Sequence, residues 1–510
     1  MIRKRSKICN GKILKVNSLF LAMLILTLLF SGCNNIILNS SNTVAKPVNN
    51  DIPIEGTWKI TGSLANPANI NGSSNTNSLI NLKVSFSSKK VIFGDNKYIN
   101  PKYKVRTVNT NEYFIYNYHI MPDLLKISQE KIQLISISTG NNYFYEFALV
   151  GSKELILNMD NTFYTLEKID NLFINEDKAS TASSGGVESK KKVINSALLL
   201  SLKSYRKDAS SKLEEPVYRT IYISYKDKLI NSETQELNYI LLPRQNGFWT
   251  INSKRQIMGT NNIWDSVSAQ PVDKANVNNW SDKPTIYETS SKTINFVGND
   301  YVSFDLYNEG IYQNGENSKS SKLQVVSINS LLFSNPIKLT EILAGNGLKV
   351  FQESISSLKD SSKGKNVYSD GPDEDNWGVE RCNGHWILKS RLTEKAQTDN
   401  NYSYVDFNIP LPAPKELIGY DDLYPSWGGI KDSIPEAIDA FSSPGKDIIV
   451  IVTSTKIKVY KISNGVIGKD PLKEIDLRKG EGVIMDQWAT GDYVENWEKA
   501  FLSNNPKDIN

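Results

Sequence analysis

The chain has 510 residues, 39% of them hydrophobic and 22% charged, a globular composition long enough for two or three domains and unlike that of a disordered or fibrous protein. Its formal net charge of +4 comes from 59 Lys+Arg against 55 Asp+Glu, and six of those cations fall within the first fifteen residues; without them 53 face 55, a balance of −2. That leaves no basic surplus for a nucleic-acid partner, whose phosphates are held through clustered Lys and Arg.

In chain order, the first element is a basic leader. Arg3, Lys4, Arg5, Lys7, Lys12 and Lys15 carry no accompanying acid, and the run from Leu19 to Phe30 is almost wholly apolar. A charged segment followed by a short apolar one reads as an export signal, because the run falls short of the roughly 20 residues a permanent membrane helix needs. Phe30-Ser31-Gly32-Cys33 then resembles the lipobox of bacterial lipoproteins. The resemblance implies cleavage before Cys33, a diacylglycerol on its thiol, and anchorage at the extracytoplasmic face of the cell membrane, for which two acyl chains suffice. The lipobox family usually carries leucine where Phe30 stands. Of the three cysteines, Cys9 lies in the leader and Cys33 is the lipid carrier, so Cys382 has no intramolecular disulfide partner.

Residues 33–50 are polar and asparagine-rich and read as a tether; residues 173–192, with NEDKASTASSGGVESKKK, read as a linker. Between them, 51–172 contains about eight short segments of alternating or β-branched character, which suits a small closed antiparallel barrel. Its opening, Ile54-Glu55-Gly56-Thr57-Trp58, is similar to the Gly-x-Trp start of lipocalin-like domains, which implies a tryptophan plugging one end of the barrel.

The region 193–510 is also β-rich. It spells Arg-x-Asn-Gly-x-Trp twice, as RQNGFW at 244–249 and RCNGHW at 381–386. Asn-Gly between strand-like runs predicts two hairpins with two-residue type I′ turns, since both central residues must take positive φ. Trp249 and Trp386 then fall on equivalent faces of the returning strands. SSPGKDIIVIVTSTKIKVYKISNG resembles the turn and paired strands of propeller repeats, and at roughly 40–50 residues per blade the region has room for six or seven. PIKLTEILAG, LKVFQESISSLK, SIPEAIDAF and VENWEKAFL read as helices, which a minimal propeller does not need. The fold class expected is therefore mostly β: a small lipocalin-like barrel followed by a larger β-propeller-like or irregular α+β region.

Catalytic signatures are missing from the sequence: it has no Gly-x-Ser-x-Gly, no phosphate-cradling glycine loop and no His-Glu-x-x-His. The only two histidines, His119 and His385, read as packing residues, since a shared site requires them to meet across two separate regions. Asp370, Asp373 and Asp375 are the candidate metal ligands, as oxygen donors for calcium, against the alternative of a solvated turn. Trp264, Trp280 and Trp427, flanked by amides or turn residues, are the candidate ligand surface, while Trp488 and Trp497 look like packing for a C-terminal helix. The expectation is a cell-surface binding or scaffolding lipoprotein with no enzymatic activity and no cofactor beyond the lipid. Its partners are the membrane and cell-wall polymer or another envelope protein. The alternatives are a polymer hydrolase working through carboxylates such as Asp373, Glu374 or Asp375, and a signalling or assembly protein that recognises a protein partner.

Overall fold

The computed structural model describes residues 52–67, 79–139, 142–159, 162–173, 195–207, 213–258, 262–273, 289–311, 317–331, 335–343, 347–361, 373–394, 403–463 and 465–509. The leader, the lipobox Phe30-Ser31-Gly32-Cys33, the tether, Trp280 and Asp370 lie outside these residues. The described part is mostly β, a curled antiparallel half-barrel followed by a four-blade propeller-like arrangement.

The half-barrel is one nine-stranded sheet. Its first strand, Gly56–Ala65, lies in the middle, paired with Lys83–Phe86 on one side and with Thr162–Asp170 on the other. The edges are Asn96–Ile99 and Lys102–Asn109, consecutive in sequence yet not paired with each other, so the sheet stays open where the sequence suggested a closed barrel. Alternation explains its two-sided burial. In Lys131–Thr139, Ile135 and Ile137 point into the core inside the curl with Trp58, Phe86 and Phe147. Ile132 and Leu134 join a second core with Phe114 and Phe163. The Gly-x-Trp opening has a local reason. Gly56 has φ +115°, and a Cβ there would lie 2.4 Å from the Asp170 carbonyl oxygen. Trp58 is fully buried and its Nε1 donates to the Ile54 carbonyl oxygen at 2.8 Å.

Four sheets make up the second region, fewer than the six or seven blades expected from spacing. The first is built on Ser196–Lys207, whose partners are Glu214–Lys226 and, from the far end of the chain, Gly482–Thr490. That late strand ties the end of the chain to the start of the region. The run Ala197-Leu198-Leu199-Leu200 is apolar without alternation because both faces of this sheet are covered. Ala197 and Leu199 pack toward the six-stranded second sheet, with Ile251 and Ile294, while Leu198 and Leu200 pack toward the fourth, with Ile448 and Val450. The third sheet, Trp377–Cys382, His385–Glu394 and Ser403–Ile409, packs on the second through Phe296, Val325, Trp377 and Trp386.

Buried guanidinium groups join these layers. Arg391, in the third sheet, donates to Asp406 of its own sheet at 2.6 Å and to Asp305 of the second sheet at 2.8 Å. Arg219, in the first sheet, donates to Glu236 of its own sheet at 2.8 Å, to Glu481 just before Gly482–Thr490 at 2.5 Å, and to the carbonyl oxygen of Asp476 in the fourth sheet at 3.2 Å. Each charge is desolvated but paired, the condition under which burial is tolerable.

Both repeated motifs are hairpins, with different registers. In the second, Cys382 pairs with His385 across Asn383-Gly384, at φ +53° and +83°, the type I′ geometry that sequence predicts. In the first, Arg244 pairs with Gly247, so the turn residues are Gln245 and Asn246 and the register shifts by one residue. Each arginine nonetheless stacks on its motif tryptophan, Arg244 at 4.6 Å from the Trp249 ring centre and Arg381 at 4.9 Å from that of Trp386. Three of the expected helical segments are helical, at Leu339–Ile342, Gly347–Ser361 and Tyr493–Ser503. SIPEAIDAF is not: it leads into the strand Asp439–Ser442, and the helix forms just before it, at Trp427–Ser433, capped by the Ser426 hydroxyl. Trp497 lies on the C-terminal helix and packs edge-on against Phe248, in keeping with its expected role.

Candidate functional site

The chain's two histidines meet. His119 ends the helix Thr110–Tyr118 as its C-cap in the left-handed conformation, φ +54° and ψ +36°. His385 opens the returning strand of the second hairpin. Their ring centres lie 5.9 Å apart, edge to face. Asp421, from the segment before the helix Trp427–Ser433, completes the cluster: its Oδ2 is 3.8 Å from His119 Nε2 and 3.6 Å from His385 Nδ1. One donor atom from each of the three residues lies within 4.8 Å of the others.

Asp421 is held on every side. Arg381 Nη1 donates to its Oδ1 at 2.9 Å and the Trp386 backbone N–H donates to its Oδ2 at 2.7 Å. Burial opposes the charge on Asp421, but Arg381 and the two imidazoles outweigh it and hold the carboxyl below its ordinary range. Arg381 is shared, giving Asp439 two further hydrogen bonds at 2.9 and 2.7 Å. Burial also pushes His119 below its ordinary value, which keeps it neutral at pH 7. His385 Nδ1 lies 3.2 Å from the Asp421 carbonyl oxygen; a proton on Nδ1 donated there leaves Nε2 as a bare lone pair. Nε2 of His385 and Nε2 of His119 are both buried without a hydrogen-bond partner.

The cluster separates two hollows. One, about 690 Å³, opens between the half-barrel and the propeller-like region and is lined by Tyr118, His119, Tyr301, Tyr420, Asp421 and Asp422 among others. The second, about 160 Å³, is lined by His385, Arg106, Glu146, Tyr113, Trp427 and Gly428. There the Arg106 guanidinium lies against Gly428, where a Cβ would displace the end of the arginine side chain. Arg106 is in turn paired with Glu146, which also accepts from Tyr113 at 2.8 Å and Ser136 at 2.9 Å. A wider hollow of about 1120 Å³, beside the helix Gly347–Ser361, contains neither histidine.

The sequence-derived candidates fall elsewhere. Trp264 lies half-buried in the strand Asn262–Pro271, not in a loop. Trp427 packs half-buried against the core of the fourth sheet and lines the smaller hollow. Asp373 is ion-paired with Lys322 at 2.6 Å, Glu374 accepts from the Thr340 hydroxyl at 2.6 Å, and Asp375 is held to Asp373 through its own backbone N–H at 3.2 Å. Cys382 is a half-buried free thiol, raised above its usual range mainly by burial. Local sequence gave no sign of the His119–His385–Asp421 cluster: its members stand 266 and 36 positions apart, and Asp421 sits in an unremarkable GYDDLYP stretch.

No family model matches the chain, and no curated protein matches it. Among solved structures it is similar to a candidate 6-phosphogluconolactonase of Bacteroides uniformis at 9% identity, over 55% of this chain and 68% of that one, with a TM-score of 0.11, a likeness too slight to carry an argument about fold or activity.

Proposed function

We propose that this chain is a lipid-anchored binding protein of the bacterial cell surface, with its ligand seated in the cleft between the half-barrel and the propeller-like region. The observation that carries the binding site is the cleft itself. At about 690 Å³ it has the size of a ligand pocket, and it gathers three tyrosines, two aspartates and a histidine from segments distant in sequence. Tyrosine faces beside carboxylates and prolines suit a sugar-containing polymer, stacked on the rings and hydrogen-bonded at the rim. The anchor rests on the leader and the Phe30-Ser31-Gly32-Cys33 motif.

Two experiments test this reading. Purified cell-wall polymer should co-sediment with the full chain in detergent and fail to do so with Gly419→Phe. Gly419 lines the cleft and has room for a side chain, its nearest neighbour being Asn299 Oδ1 at 3.8 Å from an added Cβ. If the variant binds as well as the parent, the cleft is not the site; if neither binds, the ligand is not this polymer, and crosslinking for a protein partner replaces the assay. For the anchor, Cys33→Ala should abolish acyl labelling and release the protein from the membrane fraction. Labelling that persists removes Cys33 from its assigned role.

A further inference from the structure

We infer that His119, His385 and Asp421 form a binding site for a divalent transition-metal ion of the zinc type, with an open coordination position facing the cleft. The inference stands whether or not the cleft takes a polymer.

Donor chemistry comes first. Two imidazoles and one carboxylate form a borderline set that suits zinc, whereas calcium and magnesium call for oxygen ligands throughout. The geometry is close to what is needed. Ligands about 2.1 Å from a tetrahedral centre stand about 3.4 Å from one another. Here His119 Nε2 and Asp421 Oδ2 are already 3.8 Å apart, and the widest separation in the group is within 4.8 Å. Closing that gap takes small side-chain rotations.

The surroundings supply two independent reasons. Both Nε2 atoms are buried with no hydrogen-bond partner, and His385 is only 1% exposed, so its lone pair carries an unmet desolvation cost that a metal ion removes. The orienting contacts around the carboxylate are those that metal ligands carry: Arg381 Nη1 and the Trp386 N–H both donate to Asp421, while His385 Nδ1 lies 3.6 Å from its Oδ2. Charge points the same way. One buried guanidinium, Arg381, faces two carboxylates, Asp421 and Asp439, so a cation beside Asp421 reduces the imbalance. Three protein ligands leave a fourth position, and both His119 and Asp421 line the cleft, which places that position within reach of water or of a ligand atom.

The test uses the full chain in detergent, stripped with chelator and dialysed against zinc. A single equivalent is expected to bind, and X-ray absorption at the zinc edge should show nitrogen and oxygen ligands with the scattering of two imidazoles. Because the chain contains only two histidines, that signature can arise only from this pair. His119→Ala and His385→Phe should each bring bound zinc to background; phenylalanine keeps a ring in the buried position that His385 fills. Cys382→Ser should retain the metal. Zinc with one imidazole or none overturns the assignment, as does no binding by the parent chain or binding that survives both histidine substitutions. The absorption signature needs no variant, so a misfolded substitution leaves the answer intact.

Discussion

Arg381→Leu is expected to lower unfolding free energy by about 3–5 kcal/mol, whereas Arg244→Leu, the same position in the other motif copy, should cost about 1 kcal/mol or less. The difference follows from what each guanidinium faces. Arg381 is buried, pairs with Asp421 and Asp439, donates to the Ala440 carbonyl oxygen at 3.0 Å, and packs over the rings of Trp386 and Phe441. Leucine in its place leaves two carboxylates without their cation in a site that water does not reach. Arg244 instead pairs at 2.7 Å with an Asp300 side chain that is 61% exposed, so solvent screens most of what it gains. Urea unfolding of the two variants beside the parent decides the matter. Equal losses would mean that the motif's arginine acts through stacking on its tryptophan, which both copies share, and not through the buried pairs.

The repeated motif also shows how far sequence carried the reading. Strand content, both hairpins and the register of the second were legible because alternation and Asn-Gly turns are local properties. The register of the first was not, since Asn-Gly alone does not fix which two residues occupy the turn. The open edge of the half-barrel was hidden for a related reason: whether Asn96–Ile99 pairs with Lys102–Asn109 depends on curl and twist accumulated over nine strands. SIPEAIDAF shows the opposite conflict. Its composition favours helix, yet strand Asp439–Ser442 is claimed by pairing with Ile448–Val452, and tertiary pairing overrides propensity. The histidine pair was least accessible of all. Nothing near YNYHIMP or RCNGHW marks a shared site, and each residue is explicable alone as packing. Only the seating of the helix end of the half-barrel against the second hairpin brings them together.

That seating places Asp486 in a position whose titration should be visible in stability. Asp486 is on the strand Gly482–Thr490 and accepts a hydrogen bond from Trp386 Nε1 at 2.7 Å, joining the first sheet to the third. Burial first, then the neighbouring Asp421 and Asp439, raises its carboxyl from the ordinary 3.8 to about 8, against the opposing pull of Arg381 and the indole N–H. The folded state therefore keeps a proton that the unfolded chain gives up near pH 4. The stability tied to that proton is fully present below the unfolded value and is lost as pH rises toward 8, at about 1.4 kcal/mol per pH unit within the window. Asp421 works in the opposite sense, because its lowered carboxyl contributes stability that is lost as pH falls through its folded value. The parent's own pH profile mixes the two, and a difference separates them. Asp486→Asn mimics the protonated acid and keeps an oxygen for Trp386. Measured in chelator, so that no metal ion adds charge beside Asp421, the variant should match the parent near pH 4 and grow steadily more stable than it up to pH 8. Parallel profiles for the two proteins would show that Asp486 is ionised in the folded state at neutral pH, and that Arg381 alone offsets three buried carboxylates.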